Sequence, residues 1–258
     1  MQAIFRNPLS DPHIMGVSSG GALGAAILTM AIPSSSSLLP WGVSLAGASF
    51  LGAGISSIII LAIARRFHSS GTLLIAGVML GFIFSAITSI IQYTASEESL
   101  KLFFSWSGGS FQSGGWTGAS LMLGAILLGG ALSLFNIKGL DAILFGEEFS
   151  RMAGGSPART IVLSILSCCI MAGTVTSVCG PLGFVGIVAP HLARKVGGTS
   201  VHSKVIPLGC IIGGFLGICA DFISHVLPIP IPVGSTLALL GIPVIFYFLL
   251  RSDNDFNS

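Results

Sequence analysis

Asp221 and His225 stand four residues apart inside an otherwise apolar run, a spacing that puts both on one face of a helix. Ionisable residues within such a run are costly and mark a function or a hydrogen-bonded pair. Two chemistries fit: a proton relay, or a structural pair near one membrane face, which is the simpler reading. The second concentration of unusual residues is "CGPLGFVGIVAPHLAR", Cys179–Arg194. Gly180, Pro181, Gly183, Gly186 and Pro190 weaken or break a helix, and His191 follows them. No GxxxxGK[ST] phosphate loop, HExxH zinc pair or GxSxG nucleophile elbow occurs. The chain is therefore expected to be no enzyme, with no cofactor and no metal site. The five cysteines (Cys168, Cys169, Cys179, Cys210 and Cys219) form no CxxC pair and read as small core residues.

The elements that must position these residues are membrane helices. Of 258 residues, 52% are hydrophobic and 8% charged, against about 25% charged in soluble domains. Runs of about 20 apolar residues can cross a bilayer. Trp41–Ala64, Thr72–Gln92, Thr117–Phe135, Thr160–Cys179 and Ile231–Leu250 read as crossings. Gly16–Ile32 is a shorter one, and Val205–Leu227 crosses while carrying Asp221 and His225. The net charge of +2, without a basic patch, gives no support for a nucleic-acid partner.

Lys and Arg collect on the cytoplasmic side. With the N-terminus inside, Arg6, Arg65, Arg66, Lys138, Arg151 and Arg159 fall inside and Lys101 outside. If Gly180–Ala193 does not cross, Arg194, Lys195, Lys204 and Arg251 fall outside, giving six in and five out. If it crosses, ten of the eleven are inside, so the crossing arrangement is preferred. Fourteen helical residues reach only about 21 Å, against a hydrocarbon core of about 30 Å. The segment must then pair a short helix with an extended piece, a combination tolerated only beside protein or a water-filled cavity.

"TLLIAGVMLGFIF" (Thr72–Phe84) and "TLALLGIPVIFYF" (Thr236–Phe248) match at a constant offset, with Gly77 aligned to Gly241. In the crossing arrangement they run in opposite directions, as inverted repeats of transporters do. Gly20/Gly24, Ser44/Ala48/Gly52, Gly77/Gly81 and Gly209/Gly213/Gly217 form small-residue ridges of the kind that let membrane helices approach closely. "GEEFSRMAGG" (Gly146–Gly155) is the most polar inner loop. Phe145, Phe149 and Met152 fall at i, i+4 and i+7, predicting a short amphipathic helix with one apolar face. Glu97 and Glu98 read as acidic residues at the start of an outer surface helix. Asn7–Leu9 and Ser69–Gly71 read as turns.

"RNPLSDPHIMGVSSGGALGAA" (Arg6–Ala26) and "GPLGFVGIVAPHLAR" (Gly180–Arg194), in that order, resemble the FecCD-type permeases. These are the membrane subunits of ABC importers for iron-siderophores, haem and cobalamin. The resemblance continues through Arg65–Gly81, Leu144–Gly155, the Asp221 segment and Leu227–Leu250, and so covers essentially the whole chain. It implies an all-α type II importer fold of ten helices, in one transmembrane permease domain over residues 1–258 of the inner (cytoplasmic) membrane. It also implies a homodimer, two cytoplasmic ATP-binding subunits and an external substrate-binding protein.

The resemblance places cytoplasmic gate residues at Asn7, Leu9, Ser70 and Gly71. It places an ATPase-coupling loop over 136–157, with Gly146, Glu147, Glu148, Phe149, Met152 and Gly154 at the contact. Family members often carry Arg where this chain has His225, which puts in doubt how the chain docks its binding protein. Two family helices precede the RNPL-like segment, so the chain is expected to be N-terminally truncated, with about eight of ten helices. The expected function is ATP-driven import of an iron-siderophore, haem or cobalamin-type chelate. The alternatives are a proton-coupled secondary transporter using Asp221 and His225, or a non-functional truncated permease.

Overall fold

Long apolar runs bounded by caps and glycines fold here as helices, and the regular structure among the described residues is entirely helical. The computed structural model describes residues 1–31, 41–66, 70–112, 114–226 and 231–256. They divide into two compact units, Met1–Pro181 and Leu182–Ser258.

The first unit holds α1 (Gln2–Phe5), α2 (Val17–Ala26, continued by a π-helical turn over Ile27–Ala31), α3 (Trp41–Arg66) and α4 (Ser70–Thr94). It continues with α5 (Glu97–Ser107), α6 (Gly115–Phe135), α7 (Ile137–Leu144), α8 (Glu147–Met152) and α9 (Pro157–Cys179). The start of α9 is written locally: the Ser156 side chain accepts the Arg159 N–H, and Pro157 takes the first helical position, where no N–H is needed. Ser96 caps α5 in the same way, with Glu97 and Glu98 in its first turn as expected.

The small-residue ridges find one another. A Cβ on Gly24 would overlap the Ala48 carbonyl, and one on Gly52 would overlap the Gly20 carbonyl, so α2 and α3 touch backbone to backbone. Such contact suits lipid, where packing and hydrogen bonds hold helices together without a hydrophobic drive. Among the long apolar helices α9 is the most buried. It joins α2 through Ser18 and Thr176, whose hydroxyls are 3.1 Å apart, and α6 through Ser133 and Ser167 at 2.7 Å.

The second unit holds α10 (Val185–Gly197), α11 (His202–Val226) and α12 (Val233–Phe256). Ala220, Val233 and Leu237 form its core, and the Thr236 hydroxyl donates to the Ala220 carbonyl at 3.2 Å. Gly213 lets α11 close on Ala189 and Val185 of α10.

Among the described residues five helices are long and apolar enough to cross a membrane, and Val17–Met30 and Val233–Phe246 are shorter apolar helices. With the 13-residue α10 these are the eight segments that the sequence marks. The break before α10 is narrower than expected. Only 180–184 leaves the helix, while Gly186, Pro190 and His191 lie within α10. The helix continues through Pro190 and forgoes the one N–H that proline lacks.

Candidate functional site

The turn after α1 is built by its own side chains. Asn7 Oδ1 accepts the Leu9 N–H at 2.9 Å, the Gln2 side-chain amide donates to the Pro8 carbonyl at 2.6 Å, and Arg6 takes a left-handed conformation (φ 46°). Asn side chains favour such turns because they replace a backbone acceptor. Leu9 stays 41% exposed. Gly71 is exposed in the first turn of α4; Ser70 opens that helix, and its side chain and Ser69 lie outside the described residues. Ala3, Ile4 and Phe5 of α1 share a buried cluster with Leu73, two residues past Gly71. Gly71 and the Asn7–Leu9 turn therefore stand at the same end of the unit.

The same cluster contains Leu140 and Ile143 of α7. The polar loop holds the short helix predicted there, α8, and a further helix, α7, precedes it across a break at Gly146. The reason is local: Gly146 has φ 121°, a conformation closed to most side chains, and the Arg6 guanidinium fills the space where a Cβ would point, 2.8 Å away. The break still leaves Phe145 and Phe149 ring to ring at 5.2 Å. With Met152 they form an exposed apolar group, at 75%, 45% and 80%. Glu147 pairs with Arg151 at 3.7 Å, and Glu148 is exposed in the same first turn. Gly154 ends the segment with φ 78° and open space around it.

Sequence spacing does not reveal what anchors this element. Asn136, between α6 and α7, is buried, and its amide donates to the Thr160 carbonyl at 2.9 Å and to Ser164 Oγ at 2.8 Å. Gly139 lies against Thr160 so closely that a Cβ would overlap its hydroxyl. In the sequence Asn136 shows only as a polar residue between Phe135 and Ile137.

In the second unit His225 and Asp221 do share a helix face, with Nδ1 3.5 Å from Oδ1. The same Nδ1 is only 2.8 Å from the Asp221 main-chain carbonyl. His191 Nδ1 lies 3.2 Å from the Arg194 guanidinium on α10. The aligned glycines behave alike in the two units. Gly77 receives Met15, next to Gly16 (φ 82°), which caps α2; Gly241 receives Phe184 (φ 68°), which caps α10. A positive φ at phenylalanine is rare and is held here by that packing.

Among the described residues no three His, Cys, Asp or Glu side chains gather as a metal site, and the five cysteines are free. The arrangement is one of helices, turns and an exposed apolar group. A model of the FecCD transport family matches residues 1–251.

The chain belongs to the FecCD transport family.

Its relatives include the cobalamin import permease BtuC of Halobacterium salinarum, 32% identical over 96% of this chain and 66% of its own length. The hemin transport permease HmuU of Yersinia pestis is 31% identical over 97% and 75%. The ABC transporter permease YvrB of Bacillus subtilis is 30% identical over 97% and 71%. The fold matches a solved inward-facing metal-chelate type ABC transporter at TM-score 0.84 and 26% identity, over 97% of this chain and 79% of that one. This FecCD member is thus an all-helical polytopic permease of the inner membrane.

Proposed function

We propose that the chain is the permease subunit of an ATP-driven importer for a chelate of the siderophore, haem or cobalamin class. The observation that carries this reading is the exposed Phe145, Phe149 and Met152 group on the α7–α8 element, whose other face is packed on α1. An apolar patch on a polar loop suits a protein partner. In this family that partner is an ATP-binding subunit, and named relatives carry cobalamin and hemin.

Movement of the α7–α8 element would reach the Asn7–Leu9 turn directly, because Leu140 and Ile143 share a core with Ala3, Ile4 and Phe5. Arg6 against Gly146 adds a second connection. Asn7, Leu9, Ser70 and Gly71 then act as the cytoplasmic gate, and Gly146, Glu147, Glu148, Phe149, Met152 and Gly154 as the coupling surface. The 180–184 break lets the short α10 complete a crossing. We further propose a homodimer with two ATP-binding subunits and an external binding protein.

Asp221 and His225 serve this reading as a local pair, since the imidazole nitrogen is nearer the main-chain carbonyl than the carboxylate. The test is uptake by the complete complex in proteoliposomes with cyanocobalamin, a ferric trihydroxamate and haemin as probes. Uptake that needs internal ATP and persists with a protonophore supports the importer. Uptake driven by a proton gradient without ATP would overturn it.

A further inference from the structure

A cavity of about 280 Å³ lies between α2, the second half of α4 and α5, wholly within the first unit. Ser85, Ser89 and Gln92 reach it from one face of α4, at i, i+4 and i+7, and Ser19 and His13 from the α2 side. Phe103 and Ala22 supply apolar wall.

Several hydroxyls around the cavity are already committed. Ser18 pairs with Thr176, and Thr88 donates to the Phe84 carbonyl. The side chains of Ser19, Ser85, Gln92 and His13 make no hydrogen bond with another described residue. Ser19 and Gln92 are half-buried, while Ser85 and His13 are exposed at the open side of the cavity and His13 also faces the Asp11 charge, so water reaches these groups and an oxygen-bearing ligand arm can take its place. The lining offers an amide, hydroxyls and an imidazole, and it has no Lys, Arg, Asp or Glu. Such a wall satisfies oxygen acceptors but supplies no fixed charge to a carboxylate. The volume falls below the usual range for whole ligands, about 300–1,000 Å³, and fits one projecting arm.

We propose that this cavity is a subsite for uncharged oxygen acceptors (amide, hydroxamate or alcohol) projecting from the carried chelate, an inference that rests on the importer reading above. Ser85 and Gln92 hold the arm by hydrogen bonds, while Phe103 and Ala22 limit its depth. Its lining residues all come from the first unit of this chain.

The test uses the permease assembled with its ATPase and binding protein in proteoliposomes, with the same three probes. Ser85→Ala combined with Gln92→Leu should lower uptake of the transported probe about tenfold or more, at about threefold or more per lost hydrogen bond. ATPase co-purification and basal ATP hydrolysis should not change, and Gln92→Asn, which keeps the amide, should retain more uptake than Gln92→Leu. A single Ser85→Cys in a cysteine-free chain should react with a water-soluble thiol reagent, and saturating probe should slow that reaction. If the double variant fails to assemble, this protection decides alone. Wild-type uptake by the double variant, or labelling that no transported probe slows, overturns the subsite and leaves the importer reading standing. Uptake of haemin alone among the three overturns the uncharged-acceptor assignment. Absence of uptake of all three by the wild type overturns the importer reading and this inference with it.

Discussion

At His225 a side-chain carboxylate and a main-chain carbonyl of the same residue compete for one imidazole nitrogen, and the carbonyl is nearer by the difference between 2.8 and 3.5 Å. A relay needs the carboxylate as the proton's next stop, whereas a structural pair does not. Asp221→Asn should therefore keep ATP-dependent uptake within about a factor of five, since a partly exposed pair is worth about 0–1 kcal/mol; abolished uptake in a folded protein would favour the relay. Phe149 poses the opposite case, an apolar ring left 45% exposed. Phe149→Asp should leave membrane insertion intact and weaken ATPase association, because it places an unpaired charge in an apolar contact. Co-purification at unchanged yield would count against the coupling surface.

Elements are held in register by the absence of side chains as much as by their presence. α2 and α3 meet where Gly24 faces the Ala48 carbonyl and Gly52 faces the Gly20 carbonyl. Gly24→Ala should force the helices apart at a cost of about 1–3 kcal/mol, read as a lower yield of folded protein in detergent. Gly54→Ala, on the facing α3 but with open space around it, should leave the yield unchanged. The α7–α8 break is likewise a single-residue property. Gly146→Ala meets both a disfavoured φ and the Arg6 guanidinium, so it should reduce coupled uptake while leaving insertion intact. Strict equivalence with wild type would show that Arg6 and Gly146 do not link gate and coupling element.

For the whole molecule the open property is which way each helix runs. If α10 completes a crossing, the exposed 198–201 turn that follows it is cytoplasmic, together with Lys195 and Lys204. Ser200→Cys in a cysteine-free chain should then react with an impermeant thiol reagent only in inside-out vesicles. Labelling in intact cells would overturn both the crossing and the opposed direction of α4 and α12.

By itself the sequence determined what composition and short-range pattern control: helices instead of strands, the apolar segments, the acidic start of α5 at Glu97 and Glu98, and the break near Gly180. These depend on lipid-length hydrophobic runs and on residues within a turn of one another. Only the tertiary structure decided which ridges meet, because Gly20/Gly24 and Ala48/Gly52 look no different in sequence from Gly209/Gly213. The Asn136 anchor and the shared core of α1 and α7 escaped the sequence because their partners are distant in the chain. Ser85, Ser89 and Gln92 did not stand out in the apolar Thr72–Gln92 run, because polar residues on a helix become a site only when other chain segments enclose them. Here the chain near His13, α2 and α5 do so. Local chemistry can specify a helix, while a cavity exists only between elements.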